Sequence, residues 1–306
     1  MWMPILCLSL FAAAPQGADP KPLGEAAVEE RLAAWPTLDA AGRRLVGDAV
    51  ERLTAARTEG MAESGRADLV ALGEGAAPKL LEALGKARDG ATRARIVSVL
   101  DALSAPRHTA LLAAEFDNAR PAVRHYCLWR VGVLGDKQLA PAAEAALARA
   151  AGRIAKAEAA GTRGEADLVD AKAEQLAAAL ACAGTGSVAG LEVMLDRAAS
   201  NWSDFAADGR RALLGVKGPA ATAILVPKVR GGSGKPRIAA LWLLAAAGEG
   251  PAAIDAAGAL LDQDDTPTRV AAINVLRALV DGEAPIDNLS VFEGIELAKR
   301  WKERLR

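Results

Sequence analysis

The stretch that decides the fold is residues 117–141, which read DNARPAVRHYCLWRVGVLGDKQLAP. Apolar residues recur there at steps of three and four as far as Val131 and Leu134, which is the spacing of one face of an α-helix. Gly135 follows as a turn residue, and Pro141 stands where a second helix would begin. The stretch therefore predicts two helices joined by a short turn.

The same pattern occurs seven times along the chain. The aligned copies start at Ala62, Arg93, Arg124, Ala173, Ala207, Arg237 and Arg269. Seven residues after each start the side chain is aliphatic: Leu69, Leu100, Val131, Leu180, Leu214, Leu244 and Leu276. Eleven residues after most starts comes a glycine that is expected to end the helix in a left-handed conformation, at Gly73, Gly135, Gly184, Gly218 and Gly248. Lys217 departs from the apolar pattern and weakens the fifth copy.

A second helix is predicted after six of these segments. The predicted ranges are Ala76 to Leu84, Pro106 to Phe116, Leu139 to Arg149, Ser187 to Arg197, Pro219 to Val229 and Pro251 to Leu261. Several contain proline at or near the start, where its missing N–H costs nothing. No stretch alternates as a strand does, so the sequence predicts an all-α protein of helical hairpins.

This pattern resembles HEAT-like repeats, in particular the bacterial class named for phycobilisome bilin lyases. The resemblance covers about residues 62 to 280 and is best preserved at 117–141 and 262–279. It implies an α-solenoid of about seven hairpins, a scaffold function, and Asp and Arg side chains that join adjacent units. The residues in those Asp and Arg positions are Asp117 with Arg124 and Asp262 with Arg269.

Residues 151–165 interrupt the repeat and are expected either to lengthen the preceding helix or to form a loop. The domain organisation predicted is an N-terminal helical cap at 19–61, repeats at 62–285 and a C-terminal capping helix at 286–306. The N-terminal cap reads as helices at Glu25 to Trp35 and Asp39 to Arg57, with Asp39 as an N-cap. The last helix presents an apolar stripe made of Val291, Ile295, Ala298, Trp301 and Leu305.

The first residues resemble an export signal. Ile5 to Ala14 is an uncharged apolar stretch that is too short to span a bilayer, and small residues follow it. The expectation is a signal peptide over residues 1–18, a periplasmic or secreted protein, and no integral membrane segment in the mature chain. A cytoplasmic protein with an N-terminal extension is the alternative. In an oxidising compartment Cys127 and Cys182 are either buried free thiols or a disulfide.

Charge gives little sign of a polyanionic partner. Lys and Arg number 37 against 38 Asp and Glu, which is a formal net charge of −1. The predicted second helices carry balanced cations and acids, so no nucleic-acid partner is expected.

The residues that could carry chemistry do not form a recognisable cluster. His108 and His125 lack a partner at metal-ligand spacing, and a solvated or hydrogen-bonded structural role is expected for both. The glycine-rich run at 231–235 fails the phosphate-loop pattern because Pro236 follows its lysine, so it is interpreted as a turn. Catalytic, cofactor-binding and metal-binding residues are therefore predicted to be none, and the protein is predicted not to be an enzyme.

Two tryptophans are candidate partner-binding residues. Trp129 and Trp242 occupy the same position in their repeats, about 160° from the apolar stripe at 100° per residue. Exposed tryptophans often contribute to binding. Packing against a neighbouring helix or the insert is nevertheless the favoured interpretation of both residues. The function expected is a non-enzymatic scaffold that binds another protein. The alternatives are a bilin-lyase-like enzyme and a HEAT-like nucleic-acid-binding protein.

Overall fold

The computed structural model describes residues 31–286 and 288–306. Within these ranges the chain contains fifteen α-helices, with short helical turns between them, and no strand. The protein is therefore all-α over its described length. The predicted signal peptide at 1–18 lies outside the described residues. The chain divides into two compact units between Leu134 and Gly135.

The first unit contains six helices. They are α1 (Ala40–Thr54), α2 (Glu59–Leu72), α3 (Ala77–Lys86), α4 (Gly90–Leu103), α5 (Thr109–Ala113) and α6 (Pro121–Leu134). Helix α1 packs against α2, and α2 packs against α4, while α3 contacts both α4 and α6. Buried leucines such as Leu69, Leu80 and Leu100 fill the spaces between them.

The second unit contains nine helices. They are α7 (Ala140–Ala159), α8 (Glu165–Gly184), α9 (Leu191–Ser200), α10 (Trp202–Leu213), α11 (Pro219–Gly231), α12 (Gly234–Ala247), α13 (Pro251–Gly258), α14 (Thr266–Leu276) and α15 (Val291–Arg304). Helix α8 packs on α10, α10 on α12, α12 on α14, and α14 on α15. No helix of the described ranges is both long enough and apolar enough to cross a bilayer.

The predicted helices are present along the chain, with one error in register. All seven first helices are present as the even-numbered helices α2 to α14, and the second helices follow them. In the fifth copy, however, Leu214 is 54% exposed whereas Leu213 is fully buried. Val216 is buried as well, so the apolar face of this copy lies one residue earlier than the alignment placed it. The shift explains why Lys217 departed from the pattern.

Glycine is required after the first helices for two different structural reasons. Gly73 and Gly135 have φ of 74° and 70°, which confirms the predicted left-handed ends. The same prediction is wrong for Gly184, which is the last helical residue of α8 and has no positive φ, and for Gly248, where φ is −73°. There a Cβ would lie 2.4 Å from the carbonyl oxygen of Leu244, so close packing against α12 requires the glycine.

The N-terminal cap is only partly as predicted. Asp39 caps α1, and its carboxylate accepts a hydrogen bond from the Gly42 amide at 2.7 Å. The helix expected to reach Trp35 is wrong over residues 31–35, which are not helical, and its earlier part lies outside the described residues. The physical reason is Pro36, because a residue before proline is disfavoured in the α conformation.

The interruption at 151–165 lengthens the preceding helix, as one of the two alternatives predicted. Helices α7 and α8 are 20 residues each and pack against one another. Arg153 and the buried Glu174 form an ion pair of 2.6 Å between them. Gly164 lies so close to α7 that a Cβ would be 2.2 Å from the Ala157 carbonyl oxygen.

The C-terminal helix is present, but its apolar stripe is only half buried. Ser290 caps α15 together with Glu293. Ala298 and Trp301 are buried. The other three members of the predicted stripe are exposed, namely Val291, Ile295 and Leu305.

Candidate functional site

An aromatic pair on two neighbouring helices is the candidate site. Trp202 is the first residue of α10, and Trp242 lies in the second half of α12, against which α10 packs. The start of α10 is fixed by Asn201, whose side chain accepts a hydrogen bond from the Asp204 amide. An N-cap of this kind determines where the helix begins and so where Trp202 lies.

The two indole rings stack on each other. Their centroids are 4.7 Å apart, and the ring planes differ by 20°. The buried Phe205 meets Trp202 edge-on at 6.0 Å, and the Arg210 guanidinium lies 5.4 Å from the centre of the Trp202 ring. Phe205 anchors the pair to the core, while both tryptophans remain half-buried.

This arrangement suits recognition of another molecule by contact. The tryptophan side chains offer apolar area that water wets poorly, and they lose little conformational entropy on binding because the stack already fixes them. Tryptophan and arginine are the residue types most enriched among those that dominate binding energy at protein interfaces. We call Trp202, Trp242 and Arg210 the aromatic site.

The sequence identified one of these residues and missed the others. Trp242 was predicted from its place opposite the apolar stripe. It packs against the neighbouring helix α10 through Trp202 and remains half-buried. Trp202 was missed because it precedes the aligned start of its repeat. Trp129 is buried and lies 6.3 Å from the ring of Tyr126 on the same helix, so Trp129 packs inside the protein and is not part of an exposed site.

His108 has the structural role that the sequence predicted. The imidazole is fully buried, and its Nδ1 accepts a hydrogen bond from the Ala105 amide at 2.9 Å. Its Nε2 lies 3.1 Å from one carboxylate oxygen of Glu74. The other oxygen of that carboxylate accepts a hydrogen bond from Arg107. Partial burial raises the pKa of Glu74, but the hydrogen bonds from Arg107 and His108 outweigh it and hold that pKa below its usual value. The other predicted histidine, His125, is half-buried.

Arginines at equivalent repeat positions make the same hydrogen bond. Each donates to the carbonyl oxygen six residues earlier: Arg93 to Ala87 at 3.0 Å, Arg124 to Asn118 at 2.7 Å, and Arg269 to Gln263 at 2.8 Å. These bonds fix the chain just before each first helix. By the alignment above, each bond joins the first residue of one copy to the chain that follows the second helix of the preceding copy. Asp262 pairs with Lys302 of α15 at 2.6 Å.

The glycine-rich run is a turn between helices, as predicted. Gly231 ends α11 and Gly234 begins α12, so only Gly232 and Ser233 link them. A positive φ of 56° at Gly234 allows this short connection.

The two described cysteines are free thiols, and both are buried. Burial raises the pKa of Cys127 well above its ordinary value, and burial raises the pKa of Cys182 to about 12. Both therefore remain protonated and unreactive at neutral pH. Of the two alternatives for this pair, the structure has the free thiols.

Comparison of the chain with protein-family models, with curated proteins and with solved structures finds no match in any of the three.

Proposed function

We propose that this protein is a non-enzymatic scaffold, an α-solenoid of about seven HEAT-like hairpins, which binds another protein at the aromatic site. The observation that carries the proposal is the stacked pair of half-buried tryptophans beside Arg210. A ring pair that is already ordered can bury further apolar area on a partner at little entropic cost.

The order of helix contacts supports the solenoid part of the proposal. In a solenoid each repeat contacts its neighbours in the chain. In the second unit the first helices pack in that order, from α8 through α10 and α12 to α14. The shared hydrogen bond of Arg93, Arg124 and Arg269 indicates that the units have a common design.

The surface position of the aromatic site supports the binding part. Trp202 and Trp242 are both half-buried, so part of each ring system stays at the surface although the two rings stack on each other. Phe205, which meets Trp202 edge-on, is buried. The exposed part of the pair is available to a partner.

Export belongs to the same proposal. The apolar stretch Ile5 to Ala14 supports a periplasmic or secreted location. Mass spectrometry of the protein purified from its own cells should find a new N-terminus between about residues 15 and 20. An intact Met1 on protein from the cytoplasmic fraction would contradict export without affecting the scaffold proposal.

Capture from the native cell envelope tests the scaffold function. The full chain is immobilised, and proteins retained from an envelope extract are compared between wild type and the double variant Trp202→Ala, Trp242→Ala. We expect wild type to retain a partner saturably and the double variant to lose it, because the apolar contact area has been removed.

The matched control is Val169→Ala with Leu214→Ala. These side chains are 40% and 54% exposed in the same unit, so they remove surface apolar area elsewhere. Thermal unfolding monitored by circular dichroism verifies that every variant is folded. Equal retention by wild type and the tryptophan variant, or no saturable retention by wild type, would overturn the proposal.

A further inference from the structure

One stretch of the chain departs from the even mixture of charges expected over its length. Residues 209–248 contain seven basic residues and no Asp or Glu. The rest of the chain contains 30 Lys and Arg against 38 Asp and Glu. The near-zero net charge therefore conceals a basic segment of +7 and a remainder of −8. This segment forms the end of α10, all of α11 and all of α12.

Four of these cations surround the turn between α11 and α12. They are Lys228 and Arg230 near the end of α11, and Lys235 and Arg237 in the first turn of α12. The connection is only two residues long, so all four lie within about one helical turn of it. Lys228 pairs with Glu192 at 2.8 Å. In the described part of the chain Arg230 and Lys235 are exposed and have no ion pair or hydrogen bond from their side chains.

The cations at the turn between α11 and α12 continue into the aromatic site. Lys235 and Trp242 are seven residues apart on α12, and residues at that spacing lie on the same face of a helix. At 1.5 Å per residue they are about 10 Å apart along the helix axis. Trp202 then stacks on Trp242. One helix face therefore presents positive charge at its start and aromatic area two turns later.

We infer that this surface binds an acidic segment of the partner protein, with apolar side chains on the aromatic site and carboxylates at the basic turn. The inference rests on the proposed function and adds the chemistry of the partner. Cations without an internal partner attract acidic segments and speed their association with the protein. The same cations repel basic segments and so select against them. We define the basic turn as Arg230 and Lys235.

The ring geometry does not allow a base to insert between the two tryptophans. Proteins that bind single strands stack successive bases on open aromatic faces. Here the faces of Trp202 and Trp242 that meet each other are closed at 4.7 Å, which leaves no space for a base between them. Partner side chains can instead pack against the outer edges of the stack.

Binding of defined probes to the full chain tests the inference. Fluorescence anisotropy is measured with a labelled peptide of Glu-Glu-Leu repeats, with a peptide in which Lys replaces Glu, and with single-stranded oligothymidylate. We expect saturable binding of the acidic peptide alone, which weakens when salt is raised from about 20 mM to about 300 mM because screening shortens the reach of exposed charges.

A charge reversal identifies the surface. The double variant Arg230→Glu, Lys235→Glu should weaken binding of the acidic peptide by about tenfold at low salt, since attraction becomes repulsion at two positions. The control is Arg163→Glu with Lys172→Glu, two exposed cations of the same unit with the same change in net charge. The control should bind the peptide as wild type does.

Three outcomes would overturn the inference: no saturable binding of the acidic peptide, equal weakening in both double variants, or tighter binding of oligothymidylate than of the peptide. The partner captured in the tryptophan experiment separates this inference from the proposed function. If Trp202→Ala with Trp242→Ala abolishes capture while Arg230→Glu with Lys235→Glu leaves both capture and peptide binding unchanged, the acidic-segment inference fails and the scaffold function stands.

Discussion

Replacing Trp301 with alanine removes the side chain that attaches the last helix. Trp301 is 4% exposed, and the other buried residues of α15 are the small Gly294 and Ala298. Trp301 therefore supplies most of the apolar burial of this helix. A buried Trp→Ala change costs about 3–5 kcal/mol because contacts are lost and a cavity remains.

The ion pairs of the same helix do not compensate for that loss. Lys302 pairs with Asp262, and Arg304 makes two hydrogen bonds to Asp281, but all four side chains are partly or largely exposed. Exposed pairs contribute little because water and salt screen them. We therefore expect α15 to separate from α14 in the variant while the rest of the unit remains folded.

Hydrogen exchange followed by mass spectrometry measures this directly. Amides of α15 should exchange about a hundredfold faster or more in Trp301→Ala. A loss of about 3 kcal/mol, the lower end of the expected cost, changes the opening equilibrium by about that factor. The acceleration should remain confined to residues after about 265, since coupling passes between neighbouring helices. Ile295→Ala, at a side chain 39% exposed, is the control and should change little. Unchanged protection of α15 in Trp301→Ala would refute the reasoning.

Three further predictions concern local structure. Asp39→Ala removes the N-cap of α1 and should lower the free energy of unfolding, measured with urea, by about 1 kcal/mol, whereas Asp39→Asn should retain most of it. Gly190→Ala would place a Cβ 2.6 Å from the Ala179 backbone and should lower the melting temperature, at a cost of about 1–3 kcal/mol; Gly47→Ala, which has open space in a helix, should raise it. Burial raises the pKa of Cys182 to about 12, so the folded protein keeps a proton that the unfolded chain loses above its ordinary value of 9.0. The free energy of unfolding should therefore fall as pH rises from 9 toward 12, and Cys182→Ala should reduce this fall.

Each of these has a result that would count against it. An unaltered urea midpoint in Asp39→Ala would mean that the cap adds nothing to stability. A Gly190→Ala protein as stable as wild type would mean that α9 can move away from α8 at no cost. The same fall in the free energy of unfolding between pH 9 and 12 in Cys182→Ala as in wild type would mean that Cys182 does not cause it.

The helices were predictable from sequence because their signals are local. Apolar spacing, terminal glycines and prolines at helix starts each report on a single turn of chain, and these signals recur in most copies. The errors arose where a neighbour decides the outcome. Leu214 and Leu213 are equally apolar, and only packing determines which one is buried. Residues 31–35 have a helical composition, but Pro36 restricts the backbone that precedes it.

The candidate site was predictable only in part because it depends on contacts between repeats. The position of Trp242 on its helix could be calculated, whereas its stacking on Trp202 requires the arrangement of α10 beside α12. The basic turn was overlooked for a different reason. Positive and negative charges balance when all the second helices are counted together. Arg230 and Lys235 lie on opposite sides of one turn, in two different helices, so that count does not show the local excess.

Site-specific photo-crosslinking in the native cells tests the central claim most directly. A benzophenone amino acid replaces Ala246, which lies one turn after Trp242 and is partly exposed, and in a control it replaces the exposed Val169 of α8. A scaffold that binds a protein at the aromatic site should give a discrete crosslinked product from position 246 that is absent from position 169. No product from position 246, or the same product from both positions, would contradict the account.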